Sequence, residues 1–323
     1  MHLPPQLQTA IEQAASAHSL SNLTKASAEL SDNYRLHQQG AERFIHSAAQ
    51  RIAYTVVRLP ATFAAMRAVF AEIRRLMPEL RVTSLLDLGA GPGTAAWAAV
   101  ETFDEIEQLT LIERDRELIR LGHDFARQSS HAALREAAWQ AGDFRMIELF
   151  APHDLVVCSY SLGESDEHAA RRVLKAAWQA AAKIIAIIEP GTMKGFGLIR
   201  LMRDEIVQSG GHLLAPCPHA SACPMRGDDW CHFVQRFERS SLHRRIKSAA
   251  LGYEDEKYAY LAAAKEPVTT ASARVIRHPL RQAGYTQLQL CAQEGLVRLT
   301  VTKKDKEAWK RARKTAWGEA WEK

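Results

Sequence analysis

The sequence predicts an α/β protein built on a doubly wound, mainly parallel sheet, and two observations support this prediction. Between about residues 81 and 209, short apolar segments alternate with helical ones, which is the pattern of successive βαβ units. The apolar segment at 85–88 stops abruptly at a loop with three glycines in alternate positions, and an alanine-rich helix is expected directly after it. Strand, glycine turn and helix in this order are typical of the first half of a nucleotide-binding fold.

Four units are expected along the chain. The strands of the core are predicted at residues 82–88, 109–113, 137–141, 154–159 and 183–188. Apolar residues at helical spacing before residue 78, and the loss of the alternation after residue 210, mark the outer units. The predicted division is a helical N-terminal unit at 1–78, the core at 79–210, a cysteine-rich insert at 211–257, a strand at 258–265 that rejoins the core sheet, and a C-terminal β unit at 266–323 with a basic helix at 305–322.

The composition is typical of a protein from a reducing compartment. The chain of 323 residues has five cysteines and a net charge of +5. It contains no run of 18 apolar residues and begins without a basic and then apolar signal pattern. We therefore expect a cytoplasmic location and no membrane partner.

Basic residues concentrate in two segments. Residues 235–247 hold five Lys and Arg against one acidic residue, and residues 303–323 hold eight against four. Such clusters predict contact with RNA phosphates, although a solvated face would have the same composition. The predicted RNA-binding residues are Arg236, Arg239, Arg244, Arg245, Lys247, Lys310, Arg311, Arg313 and Lys314. In the N-terminal unit, five arginines are expected to face solvent, with an additional anion-binding surface as the alternative. They are Arg51, Arg58, Arg67, Arg74 and Arg75.

The glycine loop predicts a ligand that lies against the backbone. Gly89 and Gly91 have no Cβ, so the turn can be tight and its backbone can be approached closely. A dinucleotide site would have its third glycine one residue later than Gly93, and Asp87 would repel a pyrophosphate but could hold an ammonium group. The pattern acid-x-Gly-x-Gly-x-Gly resembles motif I of the class I S-adenosylmethionine (SAM) methyltransferases. The alternative is a strand-to-helix turn that binds nothing.

Residues that follow the later strands extend this prediction, because ligands of such folds lie beyond the carboxyl ends of the strands. Glu113 is expected on the ribose of SAM, Asp143 near its adenine, and Ser159 near the transferred methyl group. Tyr160 and Glu164 are expected beside Ser159. The sequence Cys-Ser-Tyr-Ser at 158–161 differs from the Asn/Asp-Pro-Pro-aromatic motif common in amino-methylating enzymes, so no catalytic residue is assigned.

A cysteine loop predicts a metal site. Its cysteines have five and seven residues between them, and two of them precede proline. Disulfides are rare in reducing compartments, and zinc knuckles use closer pairs, so the spacing favours an iron–sulfur cluster with zinc as the alternative metal. Cys291 is the candidate fourth ligand, because Cys158 lies on an apolar strand and is expected in the core. The loop cysteines are Cys217, Cys223 and Cys231, and the alternative fourth ligands are His219 and His232.

Taken together, these motifs resemble the methyltransferase-like family of mitochondrial small-ribosomal-subunit assembly proteins and its bacterial relatives. The resemblance covers residues 40 to 318 and includes Glu-Pro-Gly-Thr at 189–192 and Leu-Gly-Tyr-Glu-Asp-Glu-Lys at 251–257. It implies a 4Fe-4S cluster on Cys217, Cys223, Cys231 and Cys291, and association with the small ribosomal subunit and its rRNA. The family has the methyltransferase fold without an obvious catalytic motif, a lack that this sequence shares.

Three functions follow from these expectations. The first is a SAM-binding iron–sulfur protein that acts on the small ribosomal subunit or its rRNA, in assembly and in RNA methylation. The second is a non-catalytic assembly or RNA-binding factor on the same fold. The third, a methyltransferase for small molecules or proteins, leaves the basic segments and the cysteine loop without a role.

Overall fold

The structure is a computed structural model that describes residues 1–36 and 45–322, apart from the side chains of residues 34–36 and 164. The Glu164 side chain, which was predicted near the methyl group, therefore lies outside the described part. The helices are α1 (Pro5–Ser16), α2 (Leu20–Leu36), α3 (Ala48–Val57), α4 (Leu59–Leu76), α5 (Thr94–Val100), α6 (Arg116–Ala126), α7 (Ala132–Arg135), α8 (Glu167–Ala180), α9 (Met193–Gln208), α10 (Ser241–Lys247) and α11 (Lys306–Lys314).

The strands form two sheets, one of eight strands and one of five. The strands of the larger sheet are β1 (Ser84–Leu88), β2 (Gln108–Glu113), β3 (Ala138–Ala141), β4 (His153–Ser159), β5 (Ala181–Pro190), β6 (His212–Ala215), β7 (Phe233–Glu238) and β8 (Tyr253–Ala264). The strands of the smaller sheet are β9 (Ala273–Val275), β10 (Leu280–Arg281), β11 (Tyr285–Ala292), β12 (Gly295–Thr302) and β13 (Ala320–Trp321).

The larger sheet has the order β3-β2-β1-β4-β5-β8-β6, with β7 paired to β8. Strands β1 to β5 are parallel, and β8 runs antiparallel to β5 and to β6. In register, Leu86 of β1 lies between Thr110 and Val156. This arrangement is the Rossmann-like fold of the class I SAM methyltransferases, which confirms the fold predicted for the core. The five predicted core strands differ from the observed ones by two residues or fewer at each end.

The N-terminal helices pack directly on this sheet. Helix α4 contacts α5 and strands β6, β7 and β8. Leu7 of α1, Phe63 of α4 and Leu85 of β1 belong to one buried apolar cluster. Helix α4 therefore covers one face of the larger sheet across β6, β7 and β8.

The opposite face of the sheet is covered by α8, α9 and the cysteine loop. Cys158 of β4 is fully buried in this cluster, as the sequence predicts, and Cys291 of β11 is buried in it as well. The loop that carries the other three cysteines runs between β6 and β7. Since β6, β7 and β8 all belong to the larger sheet, the segment predicted as an insert contributes strands to the core on both sides of the loop.

The predicted basic helix at 305–322 is wrong in its extent. Helix α11 ends at Lys314, because Thr315 adopts an extended conformation. Gly318 then has a φ of +93° and donates its N–H to the Val275 carbonyl at 2.9 Å. The chain thus turns back, and Trp321 pairs with Ala273 as part of β13.

Candidate functional site

A cleft opens at the carboxyl ends of the parallel strands. Of the predicted SAM-binding residues, the ones that line it are Gly89, Gly91, Glu113, Asp143 and Ser159. Tyr54 of α3 lines the same cleft, so an N-terminal helix forms part of its wall. Asp87 and Gly93 are outside its lining.

The three glycines of the loop have different roles. A Cβ on Gly91, whose φ is +55°, would meet no atom within 4 Å and would stand in the open cleft. A Cβ on Gly89 would come within 2.6 Å of Ser161 Cβ, so this glycine is required by packing. Gly93 is the N-cap of α5 with a φ of +86°. Gly91 is therefore the glycine at which a ligand can lie against the backbone.

Glu113 holds the glycine loop. Its two carboxylate oxygens accept hydrogen bonds from the Gly91 N–H at 2.9 Å and from the Asp115 N–H at 2.8 Å. Burial raises the pKa of the Glu113 carboxyl, and these two backbone donors oppose the rise. The carboxylate at the predicted ribose position thus fixes the shape of the loop from inside the cleft.

Asp87 lies behind the loop as a buried, unsatisfied carboxyl group. It is 0% exposed, and neither of its side-chain oxygens has a hydrogen-bond partner among the described residues. Burial, with a smaller contribution from the negative charge of Glu113, raises the pKa of Asp87 to about 8. A cation in the neighbouring cleft would favour the ionised form, so the site suits a ligand that carries an ammonium group.

Two further carboxylates of the cleft are paired with arginine. Asp143 accepts from Arg145 Nε at 2.8 Å, and the hydrogen bond from Arg145 lowers the Asp143 pKa against the effect of burial. Asp115 is the N-cap of α6 and accepts from Arg51 Nη2 at 2.7 Å. Arg51 is only 9% exposed, so the prediction that it faces solvent is wrong. Sequence spacing gave no signal for this pair, because its partners are 64 positions apart.

The end of β4, where the transferred methyl group is expected, holds a hydrogen-bonded network of side chains. Tyr160 has a φ of 55°, an uncommon value for a residue with a side chain. Its hydroxyl donates to Glu256 Oε1 at 3.2 Å, and Arg58 donates to both oxygens of the same carboxylate. Burial raises the Tyr160 pKa well above its usual value. The phenol is thus protonated and engaged as a donor. The Arg58 side chain is 36% exposed and is paired with Glu256.

The four predicted metal-ligating cysteines line a second cavity. Cys217, Cys223 and Cys231 come from the β6–β7 loop and Cys291 from β11 in the smaller sheet. The volume of the cavity is about 40 Å³, which is larger than the roughly 10–15 Å³ that a single water needs. His219 Nε2 lies 3.7 Å from Cys291 Sγ. Within residues 1–36 and 45–322, however, no group of three or more His, Cys, Asp or Glu side chains has the arrangement of a metal-ion site.

Three of the four thiols that line this cavity are costly to ionise without a cation. Burial raises the pKa of Cys291 to about 12 and raises that of Cys231 well above its usual range. Burial also raises the pKa of Cys217, against the opposing charge of Arg203. Cysteines bind metals as thiolates, which are negatively charged. A metal centre would supply the positive charge that stabilises them. All five cysteines of the chain are free of disulfides.

The predicted RNA-binding cations are in three different situations. Arg236 and Arg239 of the first segment form ion pairs with Asp255 at 2.7 Å and with Glu254 at 2.9 Å, respectively. The remaining three residues of that segment lie exposed on α10 and form no ion pair with any other described residue. They are Arg244, Arg245 and Lys247. The predicted cations on α11 are all exposed, namely Lys310, Arg311, Arg313 and Lys314.

The two basic helices pack on different parts of the protein. Helix α10 packs on α2 and α3, whereas α11 packs on β11 and β12 of the smaller sheet. We therefore consider them as two surfaces. No helix in the described ranges is both long and apolar enough to cross a membrane.

Comparison with known proteins gives matches over most of the chain. The human mitochondrial ribosome assembly protein METTL17 is 24% identical over 287 residues, which cover 83% of this chain and 61% of the human protein. The mitochondrial Rsm22-cox11 tandem protein 2 of Schizosaccharomyces pombe is 23% identical over 322 residues, which cover 84% of this chain and 43% of the yeast protein. Among solved structures, the magnesium protoporphyrin IX methyltransferase of Synechocystis with bound SAH is 11% identical with a TM-score of 0.42, over 73% of this chain and 94% of that one.

A model of a protein family assigns the chain to one family. The model described as "Mitochondrial small ribosomal subunit Rsm22" matches residues 48–322. The matched range contains the glycine loop, all four cysteines of the second cavity and both basic helices. The chain belongs to the Rsm22 family.

Proposed function

We propose that this protein is an assembly factor of the small ribosomal subunit that binds rRNA, holds a 4Fe-4S cluster and binds SAM. The observation that carries the proposal is the convergence of four cysteines, from a loop of the larger sheet and a strand of the smaller one, on a single cavity. Family membership and the printed names of the two relatives support the ribosomal partner. The chain spans only part of both relatives, so their partners and activities enter here as proposals.

The number of thiol groups and the apolar walls of the cavity both suit an iron–sulfur cluster. Four thiols match the ligand number of such a cluster, with Cys217, Cys223, Cys231 and Cys291 as its ligands. The remaining walls are mainly apolar, as Ile199, Met225 and others show, and a dry surrounding protects the bound group from solvent. When bound, the group would supply the positive charge that the four thiolates need. Zinc is the alternative metal and is distinguished by analysis of the metal content.

The cleft suits SAM. Gly91 offers an open place against the backbone, and Asp87 is an unsatisfied buried carboxyl close to it in sequence. Gly91, Glu113, Asp143 and Ser159 would surround the ligand, and Asp87 would act on its ammonium group from behind the loop. A purely structural turn would not require an unpartnered carboxyl group at this position.

Gly91→Val is expected to lower the affinity for SAM by at least about 100-fold, because its branched side chain would occupy the open cleft. Isothermal titration calorimetry measures the affinity. The matched control is Gly210→Val, because Gly210 also has a positive φ, +78°, and open space around it, but lies at the end of α9 away from the cleft. Both variants bear the strain of a side chain at positive φ. Equal SAM affinities for the Gly91 variant and the wild type would refute the site.

The geometry favours a binding role over catalysis. The three carboxylates that line the cleft are already engaged: Glu113 by backbone donors, Asp115 by Arg51 and Asp143 by Arg145. The phenol at the end of β4 is held by Glu256. We therefore expect no transfer of labelled methyl groups from SAM to small subunits or their rRNA, whereas stoichiometric transfer would establish the methyltransferase function instead.

We propose that α10 is an RNA-phosphate surface. Each phosphate contact contributes roughly 0.7 to 0.9 to the slope of log affinity against log salt. Replacing Arg244, Arg245 and Lys247 by Gln should therefore flatten the slope for small-subunit rRNA by about 2 to 3. The control replaces Arg236 and Arg239, whose charges are paired within the fold, and should change the slope by less than about 1.

The outcome of this experiment locates the RNA surface. Fluorescence anisotropy at several salt concentrations gives the slopes. If the α10 variant keeps the slope of the wild type, the assignment to α10 is wrong. The same replacement of Lys310, Arg311, Arg313 and Lys314 then tests the α11 surface on its own.

The ribosomal partner is tested by co-sedimentation. We expect the full chain to pellet with purified small subunits, or with their assembly intermediates, and not with large subunits. Recovery in the supernatant at low salt with every small-subunit preparation would contradict the proposed function.

A further inference from the structure

Two arginines that are buried almost completely line the cysteine cavity. Arg203 of α9 is 3% exposed and Arg274 of β9 is 1% exposed. Buried guanidinium groups are rare in proteins because they cannot lose their charge and must be paired. Neither arginine appears in the sequence motifs that predict the cavity.

Each arginine has most of its donors satisfied by the fold. Arg203 Nη2 donates to the His219 carbonyl at 2.9 Å, and also to the carbonyl of Ser221. Arg274 Nε donates to the Pro216 carbonyl at 3.1 Å and its Nη1 to the Gly318 carbonyl at 3.0 Å. These bonds fix both guanidinium groups against the segment around Cys217.

One donor atom of each group is left without an acceptor. Arg203 Nε and Arg274 Nη2 are both buried and have no hydrogen-bond partner among the described residues. Buried polar groups are almost always paired, so two such atoms on arginines that line one cavity point to an acceptor that belongs there.

The charges around the two arginines also leave an excess of positive charge. Arg274 pairs with Glu72 at 2.5 Å, but Glu72 is shared with Arg75, which pairs with it at 2.8 Å. Arg203 pairs with Asp204, whose side chain is 49% exposed, so that water screens its negative charge. The cavity side of both guanidinium groups therefore needs negative charge.

We propose that Arg203 and Arg274 donate hydrogen bonds to the sulfur atoms of the group held in the cysteine cavity, and that their charges raise its reduction potential. The inference rests on the proposed cluster. Four thiolates around a 4Fe-4S core leave about two negative charges in its oxidised form, which two guanidinium groups balance. Hydrogen bonds to sulfur and nearby positive charge favour the more negative, reduced form.

The test is a redox titration of anaerobically purified full-length protein, followed by electron paramagnetic resonance of the reduced cluster. Arg203→Gln and Arg274→Gln should each lower the ratio of reduced to oxidised cluster at a given potential by about tenfold, which is a shift of about −59 mV for a one-electron couple. Arg203→Lys and Arg274→Lys keep the charge and should recover at least half of the shift. Arg172→Gln, which removes an exposed charge from α8, should leave the potential unchanged.

The outcomes separate this inference from the proposal on which it rests. Wild-type protein that holds no iron and sulfide overturns the cluster and the role of the arginines together. If the wild type holds the cluster and both Gln variants have the same reduction potential as the wild type, only the role of the arginines is overturned. A merely structural role would lower the cluster content equally in the Gln and Lys variants without moving the potential, which also contradicts the inference. If the Arg274 variants fail to fold, the reduction potentials of Arg203→Gln and Arg203→Lys test the inference.

Discussion

Cys291→Ala is expected to remove most of the iron and sulfide and to lower the free energy of unfolding by about 4 kcal/mol. A cluster shared by Cys231 and Cys291 closes a loop of about 60 residues, and a cross-link of that length contributes about 4 kcal/mol. The loss should loosen the β6–β7 loop and β11 together, because Cys291 is the proposed ligand on the smaller sheet and the other three proposed ligands are on the loop. Metal analysis and urea unfolding under anaerobic conditions measure both effects.

The matched control is Cys158→Ala. Cys158 is a free, fully buried cysteine in the same apolar cluster, but it lies on β4 outside the lining of the cavity. This variant should keep its iron and lose only the packing of one sulfur atom, about 1 kcal/mol. Full retention of iron by Cys291→Ala would exclude Cys291 as a ligand and would assign the fourth position to His219 or His232.

Asp87→Asn is expected to stabilise the SAM-free protein at pH 8 by several kcal/mol. The pKa of Asp87 is about 8 in the folded protein and 3.8 in an unfolded chain, so the folded state binds the proton more tightly. Stability is therefore highest below the unfolded pKa and falls as the pH rises towards about 8. Between pH 6 and pH 8 the wild type should lose about 2 to 3 kcal/mol through this group, and the Asn variant should not.

Urea unfolding of the SAM-free protein at pH 6, 7, 8 and 9 measures this dependence. Asp104→Asn, at an exposed position, is the control and should follow the wild type. Addition of SAM should remove part of the loss in the wild type, because its ammonium group favours the ionised carboxylate, but should have less effect in Asp87→Asn. If the free energies of unfolding of the wild type and of Asp87→Asn had the same dependence on pH, the pKa of Asp87 would not be raised in the folded protein.

The parts of the fold that could be predicted from the sequence are those determined locally. Strand β1 is a short apolar run that ends at glycines, and every residue of α5 is small or apolar and is buried. The cysteine loop was recognisable because three cysteines lie close together in a chain that has five. Cys291 was the cysteine left once Cys158 was expected in the core, and it lines the same cavity as the loop cysteines although β11 belongs to a different sheet from the one next to the loop.

The parts that could not be predicted depend on contacts between distant segments. The composition of residues 305–322 is typical of a helix, but the helix ends at Lys314 and the chain turns back, so that Trp321 pairs with Ala273. Arg51 resembles any surface arginine until α3 packs beside Asp115. Arg203 and Arg274 belong to α9 and β9, and only the folded chain brings both to the cysteine cavity. Charged residues with buried partners leave no periodic pattern in the sequence.

The measurement that tests the proposed function most directly is the metal and sulfide content of full-length protein purified without oxygen. Four cysteines around one cavity predict about four iron and four sulfide per chain, with the charge-transfer absorption and Mössbauer spectrum of a 4Fe-4S cluster. One zinc per chain without iron, after strictly anaerobic handling and attempted reconstitution, would contradict the account.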